Sequence, residues 1–233
     1  MLKRWEDLPN YIRINEVRPY YDVLCNRRGS LVAKRVFDMV VSSILLMLLS
    51  PVFLVLSMAI KLDSQGPVFY RQERYTQYGR VFKIHKFRSM CDGADKMGSL
   101  VTVGNDTRVT RVGKVVRKCR LDEIAQLIDV FKGDMTFVGV RPEVKKYVDE
   151  YEKEWLATFL LPAGVTNLAC IYFKDEAELL NDVENVDKVY MEEILQIKMK
   201  WNLKGIKEFS FVGDIKLMFM TFFAVCGKEY REE

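Results

Sequence analysis

This 233-residue chain has one histidine, six prolines and five cysteines without a CxxC pair, and each scarcity closes off a chemistry. His85, the sole imidazole, sits in an alternating stretch with no evident partner, so a Ser-His-Asp or Cys-His centre is not expected. The cysteines at 25, 91, 119, 170 and 226 are odd in number and widely spaced. That spacing suits neither a zinc site nor a disulfide framework and points to a reducing cytosol. No Walker loop, GxGxxG fingerprint or HExxH is present. Interleaved basic and aromatic residues are also lacking, so nucleic acid is not an expected partner. The net charge is only +4, and much of the basic excess lies in one region that suits anionic headgroups or phosphate-bearing ligands.

That region flanks an uncharged run from Met39 to Ile60, MVVSSILLMLLSPVFLVLSMAI. About 20 such residues suffice to cross a bilayer as a straight helix. Ser50-Pro51 falls in the middle. Pro51 has no N–H, so the Met47 carbonyl loses its helical partner and the ring opens that turn. Each half is then about 11 residues, roughly 16 Å of helix, reaching about the middle of a hydrocarbon core ~30 Å thick. Arg27, Arg28, Lys34 and Arg35 precede the run; Lys61, Arg71, Arg74, Arg80, Lys83, Lys86 and Arg88 follow it. Short basic flanks stay cytoplasmic, so a re-entrant hairpin satisfies both ends and a single crossing only one. A kinked single-span anchor stays open, because membrane helices tolerate proline. Asp38, at the mouth, lies within helical pairing range of Lys34 and Arg35. A signal peptide is not expected: the run is too long and too far from the N-terminus.

The rest reads as an α+β, mostly helical chain. Residues 1–33 form an N-terminal cap or arm, 34–62 the membrane element, and 63–233 one cytosolic domain large enough for a core. Gly66-Pro67 turns the chain out of the membrane. Val68–Arg71 and Val81–Phe87 predict a short β-hairpin. The spacing of Val116, Leu121, Ile124, Leu127, Ile128 and Phe131 predicts one helix over 113–132, ended by Gly133. A tight loop follows, then a helix over 144–159, a turn at Pro162-Ala163-Gly164 and a largely helical 175–204. Residues 91–107 read as a loop with a weak helix. Phe209–Cys226 is too short between charges to span; it reads equally as an interfacial amphipathic helix or a core helix.

Three segments carry candidate chemistry. Asp122-Glu123 lies between Leu121 and Ile124, directly after Arg111, Lys114, Arg117, Lys118 and Arg120. Helix neighbours point about 100° apart, so one carboxylate can face a reacting phosphorus while the other reaches a cation. The basic residues would keep them ionised and clamp a phosphate; a surface salt-bridge cluster is the plain alternative. In Phe137-Val138-Gly139-Val140-Arg141-Pro142-Glu143, glycine permits close backbone approach and Arg141 suits a phosphate or a base edge. An ordinary turn also explains that segment. In Lys83–Met90, Lys86 and Arg88 share a strand face with Phe82 and Ile84. A lipid phosphate suits them, as does a solvated hairpin edge.

From Lys34 to about Val225, the ordered motifs KRVFD, the Ser-Pro break, GPVFYRQER, FKIHKFRSM, TRVGKVVRKCRLDE, QLIDVFKGDM, VGVRPE and LPAGVT resemble those of the bacterial sugar transferase family, the monotopic phosphoglycosyl transferases. The resemblance implies a re-entrant helix bent at Ser50 and Pro51, entered and left on the cytoplasmic face of the bacterial inner membrane. It implies transfer of a sugar-1-phosphate from a UDP-sugar to a polyprenyl phosphate with Mg²⁺, giving a polyprenyl diphosphate sugar and UMP. Asp122 matches the carboxylate nucleophile and Glu123 its partner, both at the metal. Arg117, Lys86, Arg88 and Arg141 match substrate contacts, though Val140 precedes Arg141 where the family has proline. Ala125 likewise stands where the family usually has proline, a helix-compatible change. A non-catalytic membrane scaffold for glycosyltransferases is the alternative. The sugar, the lipid length and the oligomeric state, a homodimer included, are left open.

Overall fold

At Ser50-Pro51 the chain bends by 61° between α2 (Arg28–Leu48) and α3 (Ser50–Asp63). The Met47 carbonyl, stripped of its usual donor by Pro51, accepts a hydrogen bond from Ser50 Oγ at 2.8 Å. Serine before proline therefore satisfies the carbonyl that proline orphans. This computed structural model describes residues 2–94, 106–173, 186–228 and 230. No single described helix is long and apolar enough to cross a membrane, whereas the bent pair is, by length and composition. Its outer face is bare: Met47 is 77% and Leu62 87% exposed, with Leu48, Leu54, Val55 and Met58 also exposed.

The base of α2 is bound by its charges. Lys34 Nζ donates to Val138 O (2.7 Å) and to Asp214 Oδ2 (2.5 Å). Arg35 donates to Val130 O and Phe131 O, the last carbonyls of a short helix, where cations are favoured. Asp38 feels the charges of Lys34 and Arg35, as expected, but its hydrogen bonds go elsewhere. It accepts from Thr136 Oγ1 (2.6 Å) and Phe137 N (3.3 Å), because the helix lies against a strand whose donors reach it first.

Beyond the bent pair, β1 (Phe69–Tyr75) and β2 (Val81–Phe87) form the antiparallel hairpin, in register from Phe69↔Phe87 to Tyr75↔Val81. The predicted single helix over 113–132 is three pieces: α4 (Arg111–Lys118), a 3₁₀ segment Leu121–Gln126, and α5 (Leu127–Lys132). Arg120 breaks it in the left-handed region at φ 54°, and Gly133 ends it at φ 84° as expected. The apolar spacing survives the break because 3₁₀ and α turns both bring residues three apart to one face.

A second sheet was not foreseen. β3 (Met135–Val138) pairs in parallel with β4 (Ala163–Thr166), where a loop and a turn were expected. Both strands are four residues long, and the pairing spans residues 28 apart, so neither leaves a local signal. Gly139 and Gly164 touch at its end: a Cβ on Gly164 would lie 2.2 Å from Gly139 backbone. The expected 144–159 helix is likewise split, into α6 (Lys145–Val148) and a 3₁₀ segment Lys153–Leu160.

After α7 (Leu168–Tyr172), α8 (Val186–Val189) runs through a π turn into α9 (Leu195–Lys207), and α10 (Phe211–Val225) ends the fold. Residues 95–105 of the expected loop and 174–185 before α8 lie outside the described residues. Residues 2–33 are more than a surface arm. Their helix α1 (Arg18–Asn26) and the turns before it bury Ile12, Val17, Tyr20 and Leu24 against Trp155, Leu160, Leu195 and Met199. In α10, Asp214 is buried on Lys34, while Val212, Phe219, Phe222 and Val225 are more than 60% exposed.

Candidate active site

The left-handed turn at Arg120 redirects the chain after α4, so the 3₁₀ segment carries Asp122 and Glu123 into a pocket of about 920 Å³. Lys86 enters from β2, Arg117 from α4 and Arg141 from the loop after β3. Three of the four expected substrate-site positions thus converge on the dyad from three elements. Arg141 binds Glu123 two-pronged: Nη1 donates to Oε2 at 3.2 Å and Nη2 donates to Oε1. Lys86 Nζ stands 3.9 Å from Glu123 Oε1. The Arg141 loop is itself braced. Arg74 Nη1 donates to Pro142 O (3.0 Å), and Tyr190 Oη donates to Glu143 Oε1 (2.8 Å).

The two carboxylates have different environments. Burial raises the Asp122 pKa, and the Glu123 charge adds to that, against Lys86 and Arg117. Burial would raise Glu123 too, but Arg141 and then Lys86 outweigh it and hold it down at about 2. Neighbouring acids pushed apart in this way divide their roles. Glu123 is thus held as the anion, and Asp122 is the more basic of the two carboxylates. Burial also draws Lys86 down to about 8, partly countered by Glu123.

Two adjacent carboxylates suit Mg²⁺, which is commonly bound by one or two carboxylates together with substrate phosphates and water. Among the described residues no group of three or more His, Cys, Asp or Glu could hold a metal. The donor set therefore fits an ion brought in with a phosphate ligand better than a resident all-protein site.

Arg88 is not at this pocket. It is buried at 4% exposure and donates to Gln65 O, Ser64 O (2.8 Å) and Ile60 O (3.5 Å), capping the end of α3. A Cβ on Gly66 (φ +118°) would sit 2.0 Å from Arg88 Nη1, which explains glycine at that turn. On β2, His85 does have a partner, contrary to expectation: Asp129 Oδ1 lies 2.6 Å from its Nδ1. Forty-four residues separate the two, so only the fold could reveal it.

Sequence reasoning missed Lys198, Cys170, Thr166 and Thr221, which also line the pocket. Lys198 left a signal, since it falls on the buried stripe of α9 with Leu195, Met199 and Asn202, where a cation is out of place. The lining also includes apolar Leu45 from α2, Leu49 at the bend, and Ala224 and Val225 from α10.

The pocket thus gathers cations around two carboxylates and shares its lining with apolar residues of the bent helix pair and α10. The bacterial sugar transferase profile matches residues 29–228, and the chain belongs to that family. Curated relatives include the UDP-N-acetylgalactosamine-undecaprenyl-phosphate N-acetylgalactosaminephosphotransferase of Aeromonas hydrophila, 35% identical over 191 residues, 81% of this chain and 42% of that protein. The UDP-glucose:undecaprenyl-phosphate glucose-1-phosphate transferase of Escherichia coli K12 is 34% identical over 212 residues, 89% of this chain and 43% of that one. The exopolysaccharide production protein ExoY of Rhizobium meliloti is 31% identical over 209 residues, 83% and 85% of the two chains. This chain thus covers about two fifths of the length of the first two relatives.

Proposed function

We propose that the protein transfers a sugar-1-phosphate from a UDP-sugar to a membrane polyprenyl phosphate, releasing UMP and forming a polyprenyl diphosphate sugar. The observation that carries this reading is a single pocket lined both by Asp122 with its cations and by apolar Leu45, Leu49 and Val225. A soluble diphosphate and a lipid-borne phosphate can meet only where such surfaces join.

In this reading an Asp122 carboxylate oxygen attacks the β-phosphorus. The bond from that phosphorus to the bridging oxygen breaks, and UMP leaves with the electron pair. A phosphosugar ester remains on Asp122. An oxygen of the polyprenyl phosphate then attacks the same phosphorus and frees the carboxylate. Covalent catalysis divides one hard displacement into two. Arg141, Lys86 and Arg117 offset the phosphate charge that would repel an anionic nucleophile. Mg²⁺, held by Asp122 and Glu123 with the diphosphate, would supply further charge neutralisation.

The bent pair is read as a re-entrant element in the bacterial cytoplasmic membrane, with the domain on its cytoplasmic face. If its 61° bend is shared equally, each arm rises at about 30°, and 11 residues descend about 8 Å, within one leaflet. The bare faces of the bent pair and α10 would lie against lipid.

The test incubates purified protein with Mg²⁺, undecaprenyl phosphate and a panel of UDP-sugars, beginning with UDP-glucose and UDP-N-acetylgalactosamine, and assays UMP. Release with at least one sugar supports the reading; silence across the panel favours the scaffold. The pocket's charge predicts a second result. Lys86 is protonated below about 8 and neutral above it. Metal-free UMP affinity is therefore expected to fall as pH rises through about 8, and Lys86→Met to flatten that profile. An unchanged profile in the variant, measured by calorimetry, would remove Lys86 from the nucleotide site.

A further inference from the structure

We propose that the buried His85–Asp129 pair is a positioning device that sets Lys86 against the dyad, a role that rests on the transferase reading above. Asp129 is 0% and His85 6% exposed, and neither lines the pocket. One carboxylate serves one residue twice: Oδ1 lies 2.6 Å from His85 Nδ1, and Oδ2 accepts from His85 N at 2.8 Å. A buried carboxylate is costly unless its oxygens are satisfied, so spending both on a single residue fixes that residue closely.

The placement of the clamp matters. β1 pairs along one edge of β2, with Arg71 opposite His85. Asp129 stands on α5, which continues without a gap from the 3₁₀ segment bearing Asp122 and Glu123. The clamp therefore joins the strand that carries the cation to the segment that carries the acids. Lys86 is the next residue after His85, with its Nζ 3.9 Å from Glu123 and its charge acting on Asp122. Holding both the backbone and the ring of His85 fixes where the Lys86 side chain starts. The His85 ring also meets Phe69 edge-on at 6.0 Å, which limits its rotation. His85 and Asp129 touch no ligand in this account; they act through Lys86.

A double-mutant cycle between positions 85 and 86 tests this. His85→Leu is expected to lower kcat for UMP release about tenfold. In a Lys86→Met background it should cost less than about twofold, because the group it positions is gone. His85→Asn, which keeps an N–H donor near Nδ1, should retain at least half the wild-type kcat. Full additivity of the two costs, with the melting temperature of each variant recorded, would overturn the proposal and leave the pair a core contact. If His85→Leu does not fold, Asp129→Asn takes its place, since it keeps an acceptor for His85 N. If wild type releases no UMP with any sugar, the transferase reading has failed; the same cycle is then run on UMP affinity, where additivity again overturns the clamp.

Discussion

Asp122→Asn is expected to lose UMP release and lipid-linked product together, by at least about 10³-fold, or roughly 4 kcal/mol of barrier. The amide keeps the shape of the carboxylate but is no nucleophile, so neither displacement can begin. The environment sharpens the expectation. Burial and Glu123 raise the affinity of Asp122 for a proton, and its electrons are correspondingly available to phosphorus. Glu123 cannot stand in, because Arg141 and Lys86 already hold its oxygens as a fixed anion. UMP binding should persist, since the cations are intact. Wild type quenched during turnover with sugar-labelled UDP-sugar should carry label on the peptide containing Asp122. Turnover by the variant above about a tenth of wild type would sink the nucleophile assignment.

Lys34→Met is expected to be the most damaging substitution away from the pocket. The Lys34 and Asp214 side chains are 7% and 12% exposed, and Lys34 also holds Val138 O just ahead of the Arg141 loop. Removing the cation leaves Asp214 buried without its partner and within the field of Asp38. Breaking a buried pair in this way costs about 3–5 kcal/mol. At about 2–4 °C per kcal/mol for a chain of this size, melting should drop by on the order of 10 °C. Replacing both partners, Lys34→Met with Asp214→Leu, should recover most of that, because no unpaired charge remains. Thermal unfolding of the three proteins in one detergent decides it. A double variant no better than the sum of its parts would show that the pair acts through something other than charge compensation.

The features legible in the sequence were those with a local cause. The bend was readable because proline removes a donor wherever it stands, and Gly133 was readable as a helix end because a left-handed residue favours glycine. The hairpin was readable from two β-rich runs flanking a turn. Arg88 was misplaced for a related reason: a strand pattern puts it on the same face as Lys86, but the carbonyls at the end of α3 capture it. The charges Lys34 and Arg35 place near Asp38 were visible along the helix, whereas the strand donors that hydrogen-bond it were not.

By itself the sequence determined the bent apolar pair, the hairpin, the motif order that marks the family and the acid pair at its centre. All of these follow from spacing along the chain or from the intrinsic chemistry of single residues. Only the tertiary structure decided that Arg141 and Lys86 close on Glu123, that β3 pairs in parallel with β4, and that His85 has a buried partner. Those contacts join residues from 18 to 44 positions apart. They form because desolvated charges and unpaired strand edges must find partners in the folded chain, and which partners lie within reach is settled by packing.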